Sequence, residues 1–280
     1  MGDKNKTLMS IIVLNWNRLE YTKKTISRIL ETTTMPNQLI LVDNNSTEES
    51  GVRQYLDTVK GNAHTVEVIR VYNSINYGVA GGRNTGLMRA KGDYLVTIDD
   101  DILVPNKWDV LMAEACDKIP KLGITGVNVE PIKFPVKEIN GVKVRPKNGN
   151  LGGACLCLPR RIFKRVGYYN YNSKDGGNLY GHEDSLMYYR LNYLGLISAY
   201  IAPRGVHLDT DQDKAYRVAK NEAHKKGSIQ LRCMSGYLKA MRKTGDVYVS
   251  FDPKYEPPDK DIFTNELITG DKSGKTKNNT

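Results

Sequence analysis

Cysteine is scarce in this chain: Cys116, Cys155, Cys157 and Cys233 are the only four among 280 residues. So few thiols cannot build a disulfide scaffold, and no Cys-x-x-Cys pair is present for zinc or redox chemistry. Long apolar runs are also missing, since nothing approaches the roughly 18 consecutive apolar residues of a membrane span. Residues 1–8 (MGDKNKTL) lack the apolar run of a secretory signal. The opening Met-Gly would suit myristoylation, but that motif requires Ser or Thr where Lys6 stands. No internal repeat is visible, which excludes a solenoid. These absences predict a soluble chain working in the cytoplasm, at the inner membrane surface, or in a host cytoplasm if it is viral.

What is present is an ordinary globular composition, 40% hydrophobic and 26% charged, enough to bury a full core. The formal net charge of +10 favours an acidic partner: nucleic acid, an anionic glycan, or the phosphates of a substrate. Residues 9–14 (MSIIVL) read as a strand buried on both faces, followed by helical spacing at Leu19, Ile26, Ile29 and Leu30. Further strands are predicted over 38–43, 66–72 and 94–98, with a short helix over 84–90 behind a glycine-rich turn. Strands alternating with helices predict a mainly parallel α/β sheet flanked by helices, whose ligands bind at the carboxyl ends of the strands. Asn106 can cap a helix bearing Trp108, Leu111, Met112, Ala115 and Ile119. Residues 131–150 read as a long loop or hairpin, 153–158 as a strand, 182–194 as a helix and 196–202 as a strand. Cys155 and Cys157 alternate and therefore point to one face, as reduced core thiols. Residues 214–243 carry nine Lys or Arg against one Glu on a helical pattern, and 269–280 are expected to be disordered.

Three segments carry candidate chemistry. Asp99, Asp100 and Asp101 follow directly on the strand YLVTI. Three adjacent carboxylates repel one another, so they need either a cation such as Mg2+ or Mn2+ or a solvated turn. Glu183 and Asp184 open a helix after Tyr180-Gly181-His182. Such acids either complement the helix dipole or, over a cleft, include a general base. Residues 76–86 (NYGVAGGRNTG) hold glycines between a strand and a helix, where the backbone can approach phosphate. Their spacing is not G-x-G-x-x-G, which argues against a nicotinamide enzyme.

Taken in order, SIIVLNWNR, LVDNNST, NYGVAGGRNTGL, IDDD and GHEDSLMYYRL resemble the family 2 glycosyltransferases, an inverting group with the GT-A fold. The resemblance runs from Ser10 to about His207. It implies that Asn15, Asn17 and Asp43 line a nucleoside pocket, with Asp43 accepting from the base. It also implies that Asn76, Gly78, Arg83 and Asn84 lie near the diphosphate-sugar. Asp99 would touch the ribose or sugar and could share the metal, Asp101 would hold the metal, and Asp100 could compete for either role. Asp184, with Glu183 beside it, maps to the base, and His207 to a late metal ligand. The implied reaction moves a sugar from a nucleotide-diphosphate donor, UDP favoured, with Mn2+ or Mg2+, onto a glycan hydroxyl.

The acceptor is less defined. The basic segment 214–243, with Arg160, Arg161, Lys164 and Arg165, and the tyrosines Tyr168, Tyr169, Tyr171 and Tyr180 suit an anionic glycan or membrane surface. They equally suit nucleic acid, as DNA with hydroxylated bases. A non-catalytic sugar-nucleotide binding module and a nucleotidyltransferase are the other readings. The expected organisation is a flexible start (1–8), a donor half (9–103), an acceptor half of the same domain (104–210), a basic helical extension (211–250) and a polar tail (251–280). The oligomeric state is left open.

Overall fold

The computed structural model describes residues 7–132, 134–171, 183–209, 217–218 and 237–251. The donor half forms as the alternation predicts. β1 (Met9–Asn15) leads into α1 (Leu19–Thr32), β2 (Asn37–Asp43), α2 (Val52–Thr58), β3 (Thr65–Tyr72), α3 (Gly78–Leu87) and β4 (Tyr94–Asp99). The chain continues through β5 (Ile102–Leu103), α4 (Trp108–Lys118), β6 (Leu122–Asn128), β7 (Lys137–Ile139) and β8 (Val142–Pro146). It then forms β9 (Cys155–Pro159), α5 (Arg160–Val166), α6 (Glu183–Tyr193), β10 (Ile197–Arg204) and β11 (Val206–His207).

Nine strands make one sheet in the order β3-β2-β1-β4-β9-β6-β10-β8-β7. The donor-half strands run parallel, as do β6 and β10, whereas β9 lies antiparallel between β4 and β6, and β8 and β7 are antiparallel at the edge. The stretch 131–150 is thus in part a hairpin that extends the sheet. Strand β6 and helix α5 were not anticipated from the sequence.

Alternation along the central strands divides the core into two layers. Met9, Ile11, Val13, Leu39, Leu41, Val96 and Ile98 face α1, α2 and α4, including Ile26, Leu56, Trp108 and Met112. Ile12, Ile40, Val42, Leu95, Leu156 and Leu158 face α3, α5 and α6, including Phe163, Met187 and Leu191. Cys155 and Cys157 share the first layer with Cys116. All three are free and buried, and Cys233 lies outside the described residues. Burial pushes the Cys155 thiol up, which keeps it protonated and inert.

Two details set the site. Helix α3 lies directly on β1 and β2, and a Cβ on Gly86 would stand 2.3 Å from Ile12 Cγ2 and 3.0 Å from Val42 Cγ2. Only glycine allows that approach, which seats the start of α3 at the strand ends. The other detail corrects the Asn106 cap. Lys107 precedes α4 with φ of 60°, and no side chain caps the helix. Asn106 Oδ1 instead accepts from Arg28 Nη2 at 2.9 Å. No helix among the described residues is long and apolar enough to cross a membrane.

Candidate active site

The carboxyl ends of the donor-half strands put the predicted polar residues in one row. Asn15 pairs in register with Asp43, Asp43 with Tyr72, and Leu14 with Asp99. At the nucleoside end, Asp43 is fully buried. Its Oδ1 accepts from the Ser46 amide at 3.0 Å, and its Oδ2 from Arg53 Nε at 3.0 Å and Nη2 at 2.8 Å. Arg53 also lies over the Tyr72 ring and, unlike Asp43, is substantially exposed. Arg53 carried no role in the sequence reading, yet it holds one of the two oxygens expected to meet the base. Asn17 takes a left-handed φ of 58°, and its Oδ1 accepts from the Thr47 amide. Asn76 Oδ1 accepts from Asn44 Nδ2 and from the Gly78 amide, which fixes the start of α3; the glycine-rich stretch is thus the helix itself, over Gly78–Leu87, rather than a turn before a helix at 84–90.

Two of the expected nucleotide-binding residues hold the backbone with their side chains. Asn15 is fully buried, and its amide donates to the Val13 and Val42 carbonyls, tying β1 to β2. Asn84 is fully buried as well. Its Nδ2 donates to the Tyr169 carbonyl and its Oδ1 accepts from the Tyr169 amide. Asn84 is thus engaged through both polar atoms, whereas Asn15 Oδ1 is buried with no hydrogen-bond partner. Tyr169, expected on the acceptor side, is itself buried, with its ring 5.5 Å from the Arg83 guanidinium.

Arg83 is the hub of the site. Its Nη2 meets Asp99 Oδ1 at 2.6 Å and donates to the Gly153 carbonyl at 2.8 Å, while Nη1 meets Glu183 Oε1 at 3.2 Å. One buried guanidinium therefore joins the end of β4, the loop before β9 and the start of α6. Burial alone would favour a neutral guanidine, but Asp99, Tyr169 and Glu183 outweigh it and keep the cation. Asp184, in the first turn of α6, accepts from the Ser185 amide through Oδ1 at 2.6 Å, and no described residue holds its Oδ2. Ser185 Oγ in turn accepts from Asn150 Nδ2, which links α6 to the same loop. Tyr180 and His182 lie outside the described residues.

Burial pushes the Glu183 carboxyl up to about 7, from 4.5. Between those values the folded state holds a proton that the unfolded chain releases, so stability falls as pH rises from about 4.5 to about 7. Across that window the group is worth roughly 1–3 kcal/mol. Glu183→Gln is expected to flatten the decline of melting temperature between pH 5 and 7.5; a slope parallel to the wild type would remove Glu183 as its source.

The acidic turn forms a second centre. Arg18 Nη2 meets Asp101 Oδ2 at 2.5 Å and Asp100 Oδ1 at 3.3 Å, while Nη1 meets Asp209 Oδ2 at 3.1 Å. His207 Nε2 stands 3.1 Å from the same Asp101 Oδ2. Burial raises Asp100 to about 8. For Asp101 burial pulls the same way, but the His207 contact and Arg18 outweigh it and hold that carboxyl below its ordinary range. The Asp101 contact raises His207. Arg18 lies inside the segment SIIVLNWNR, and its place just past the first strand was the signal that could have singled it out. Asp209, two residues past His207, was missed as well.

A divalent metal fits this centre. Asp101 Oδ1 is buried without a hydrogen-bond partner, and an imidazole approaches the other oxygen. No group of three His, Cys, Asp or Glu among the described residues forms a metal cluster. Mg2+ and Mn2+ do not need one, since they fill an octahedron with water and phosphate oxygens around one or two protein ligands.

The sequence profile described as Glycosyl transferase family 2 matches residues 10–167, more than half of the chain. This chain belongs to glycosyl transferase family 2. A relative is the putative colanic acid biosynthesis glycosyl transferase WcaA of Escherichia coli, 32% identical over 111 residues. That match covers 39% of this family 2 chain and 38% of the relative, so the likeness spans well under half the length of the curated protein. Two solved structures share the fold. GalNAc-T7 with UDP, GalNAc and Mn2+ gives a TM-score of 0.55 at 16% identity, covering 73% of this chain and 44% of that one. The mannosyltransferase PcManGT of Pyrobaculum calidifontis, with GDP-Man and Mn2+, gives 0.54 at 18%, covering 85% and 65%. The mixed sheet flanked by helices in this chain is thus the GT-A arrangement of those glycosyltransferases.

The basic segment 214–243 lies outside the described residues except at 217–218 and 237–243. Where it re-enters, Tyr237 and Met241 pack on Leu186 of α6, so this part of the predicted extension is docked behind the site.

Proposed function

We propose that this family 2 chain is an inverting, metal-dependent glycosyltransferase that moves a sugar from a nucleotide-diphosphate donor, UDP favoured, to a hydroxyl of a glycan. The observation that carries this reading is the convergence of the Arg18-Asp101-His207 and Arg83-Asp99-Glu183 groups on one row of strand ends, with Asp184 beside them. The names of the relatives support it: UDP and GDP-Man are bound with Mn2+ in the two solved proteins, and a polysaccharide is the product named for the Escherichia coli relative.

Asp101 and His207 would hold the metal, which when bound supplies charge neutralisation for the departing nucleotide diphosphate. The other steps belong to side chains. Arg83 keeps Asp99 and Glu183 apart and oriented, so Asp99 can meet the ribose or the sugar. Asp184, whose Oδ2 no described residue holds, removes the proton of the attacking hydroxyl as the new bond forms at the anomeric carbon. The attack comes from the face opposite the leaving group, so configuration inverts in one displacement. In this reading residues 9–103 are the donor half and 104–210 the acceptor half of one domain.

A thermal-shift screen of UDP-, dTDP- and GDP-sugars with Mn2+ tests the reading, since a ligand bound only by the folded state raises the melting temperature. A UDP-sugar is expected to raise it several degrees with Mn2+, and Asp101→Ala to abolish the metal-dependent part. No shift with any sugar nucleotide would refute the donor assignment.

A further inference from the structure

Arg18 is not among the assigned metal ligands, yet it contacts Asp101 directly and is itself buried, its side chain only 7% exposed. Burying a guanidinium is costly unless several acceptors surround it. Here three carboxylates do so, drawn from two stretches more than a hundred residues apart in sequence: Asp100 and Asp101 after β4, and Asp209 after β11. The Tyr21 ring covers the same guanidinium at 4.6 Å.

Two consequences follow for the groups around it. First, Arg18 and His207 both engage Asp101 Oδ2, which leaves Oδ1 as the bare, buried oxygen. Second, the strand that carries His207 is weakly attached by its own ladder, since β11 pairs with β5 through only Val206↔Leu103 and His207↔Ile102. The Leu208 amide to the Asp101 carbonyl, at 2.8 Å, and the Arg18-Asp209 pair secure it.

We propose that Arg18 is a positioning residue for the metal-holding pair: it locks Asp101 so that Oδ1 is the oxygen presented, and through Asp209 it tethers the strand bearing His207. This rests on the metal reading above. It makes a prediction opposite to simple charge counting. A cation 2.5 Å from Asp101 repels a divalent ion, so on charge alone its removal should tighten metal binding. If Arg18 instead sets the geometry, its removal weakens binding.

Calorimetric titration of Mn2+ into the full chain, with and without saturating UDP, separates the two. Arg18→Gln and Asp209→Asn are each expected to raise the Mn2+ dissociation constant roughly 10- to 100-fold, the usual cost of losing a group that orients a ligand. UDP affinity in the absence of metal should stay within about two-fold of the wild type, a split that general loss of structure would not give. Arg18→Lys should fall between, because an ammonium can hold one carboxylate but cannot fork across three. If Arg18→Gln does not fold, Asp209→Asn decides, since it keeps shape and weakens the tether to Arg18. Unchanged or tighter Mn2+ binding in Asp209→Asn, or in a folded Arg18→Gln, would overturn the assignment of Arg18 while leaving the metal reading intact. A wild-type chain that binds no Mn2+ even with UDP would remove both together.

Discussion

Asp184→Asn is expected to lower the turnover of sugar transfer by about two to four orders of magnitude, the usual contribution of a positioned general base. Affinity for a UDP-sugar with Mn2+ should remain within a few-fold. The geometry makes this substitution clean. Asp184 Oδ1 accepts from the Ser185 amide at the start of α6, and an asparagine carbonyl can accept the same bond. What disappears is the negative charge and the ability to take a proton. Stopped assays of donor consumption and acceptor glycosylation, paired with calorimetry of donor binding, measure both halves. Turnover near that of the wild type would remove Asp184 from the role and turn attention to Glu183, which is less suited because Arg83 already holds its carboxylate.

Arg83→Ala is the substitution with the largest expected effect on stability. The guanidinium is fully buried and supports Asp99 and Glu183 at once. Deleting one partner of a buried charge network leaves the others uncompensated, at a cost of about 3–5 kcal/mol. For a chain of this size that is a fall in melting temperature of roughly 10 °C or more. Transfer should be lost as well, because Asp99, the 150–153 loop and the start of α6 are oriented by the same group. Arg83→Lys should recover part of the stability and little of the activity, since a point charge cannot make the three-way fork. A melting temperature within a degree or two of the wild type for Arg83→Ala would show that the carboxylates find other partners.

Much of the donor half could be read from residues alone. The apolar runs MSIIVL, QLILVD and YLVTI declare buried strands, and the polar residues at their ends stand in the row the sheet predicts. The antiparallel insertion of β9 was not legible, because CLCLP looks the same whichever way it runs and its partners β4 and β6 lie far away in sequence. Strand β6 was hidden for a related reason: LGITGVN carries two glycines that weaken its strand signal, yet all seven residues are buried. Within the site, acids that announce themselves in runs were found. Of the cations beside them, Arg83 is singled out by the resemblance, whereas Arg18 and Arg53 are not, since only the fold reveals which carboxylates surround each. Asn15 and Asn84 are polar residues at suggestive positions whose side-chain amides donate to the backbone, which only the fold reveals.

The placement of β9 has a bearing on how such a chain can be built and altered. β4 ends in the acids of the donor side, and its free edge is closed by a strand from the other part of the sequence. The two parts are therefore interlocked like clasped fingers: a fragment stopping near residue 103 would leave the ladder of its last strand open to water and to aggregation. Swapping acceptor preference by exchanging the whole second part would disturb the foundation of the first. Changes confined to the β7–β8 hairpin at the far edge of the sheet would keep that seam whole.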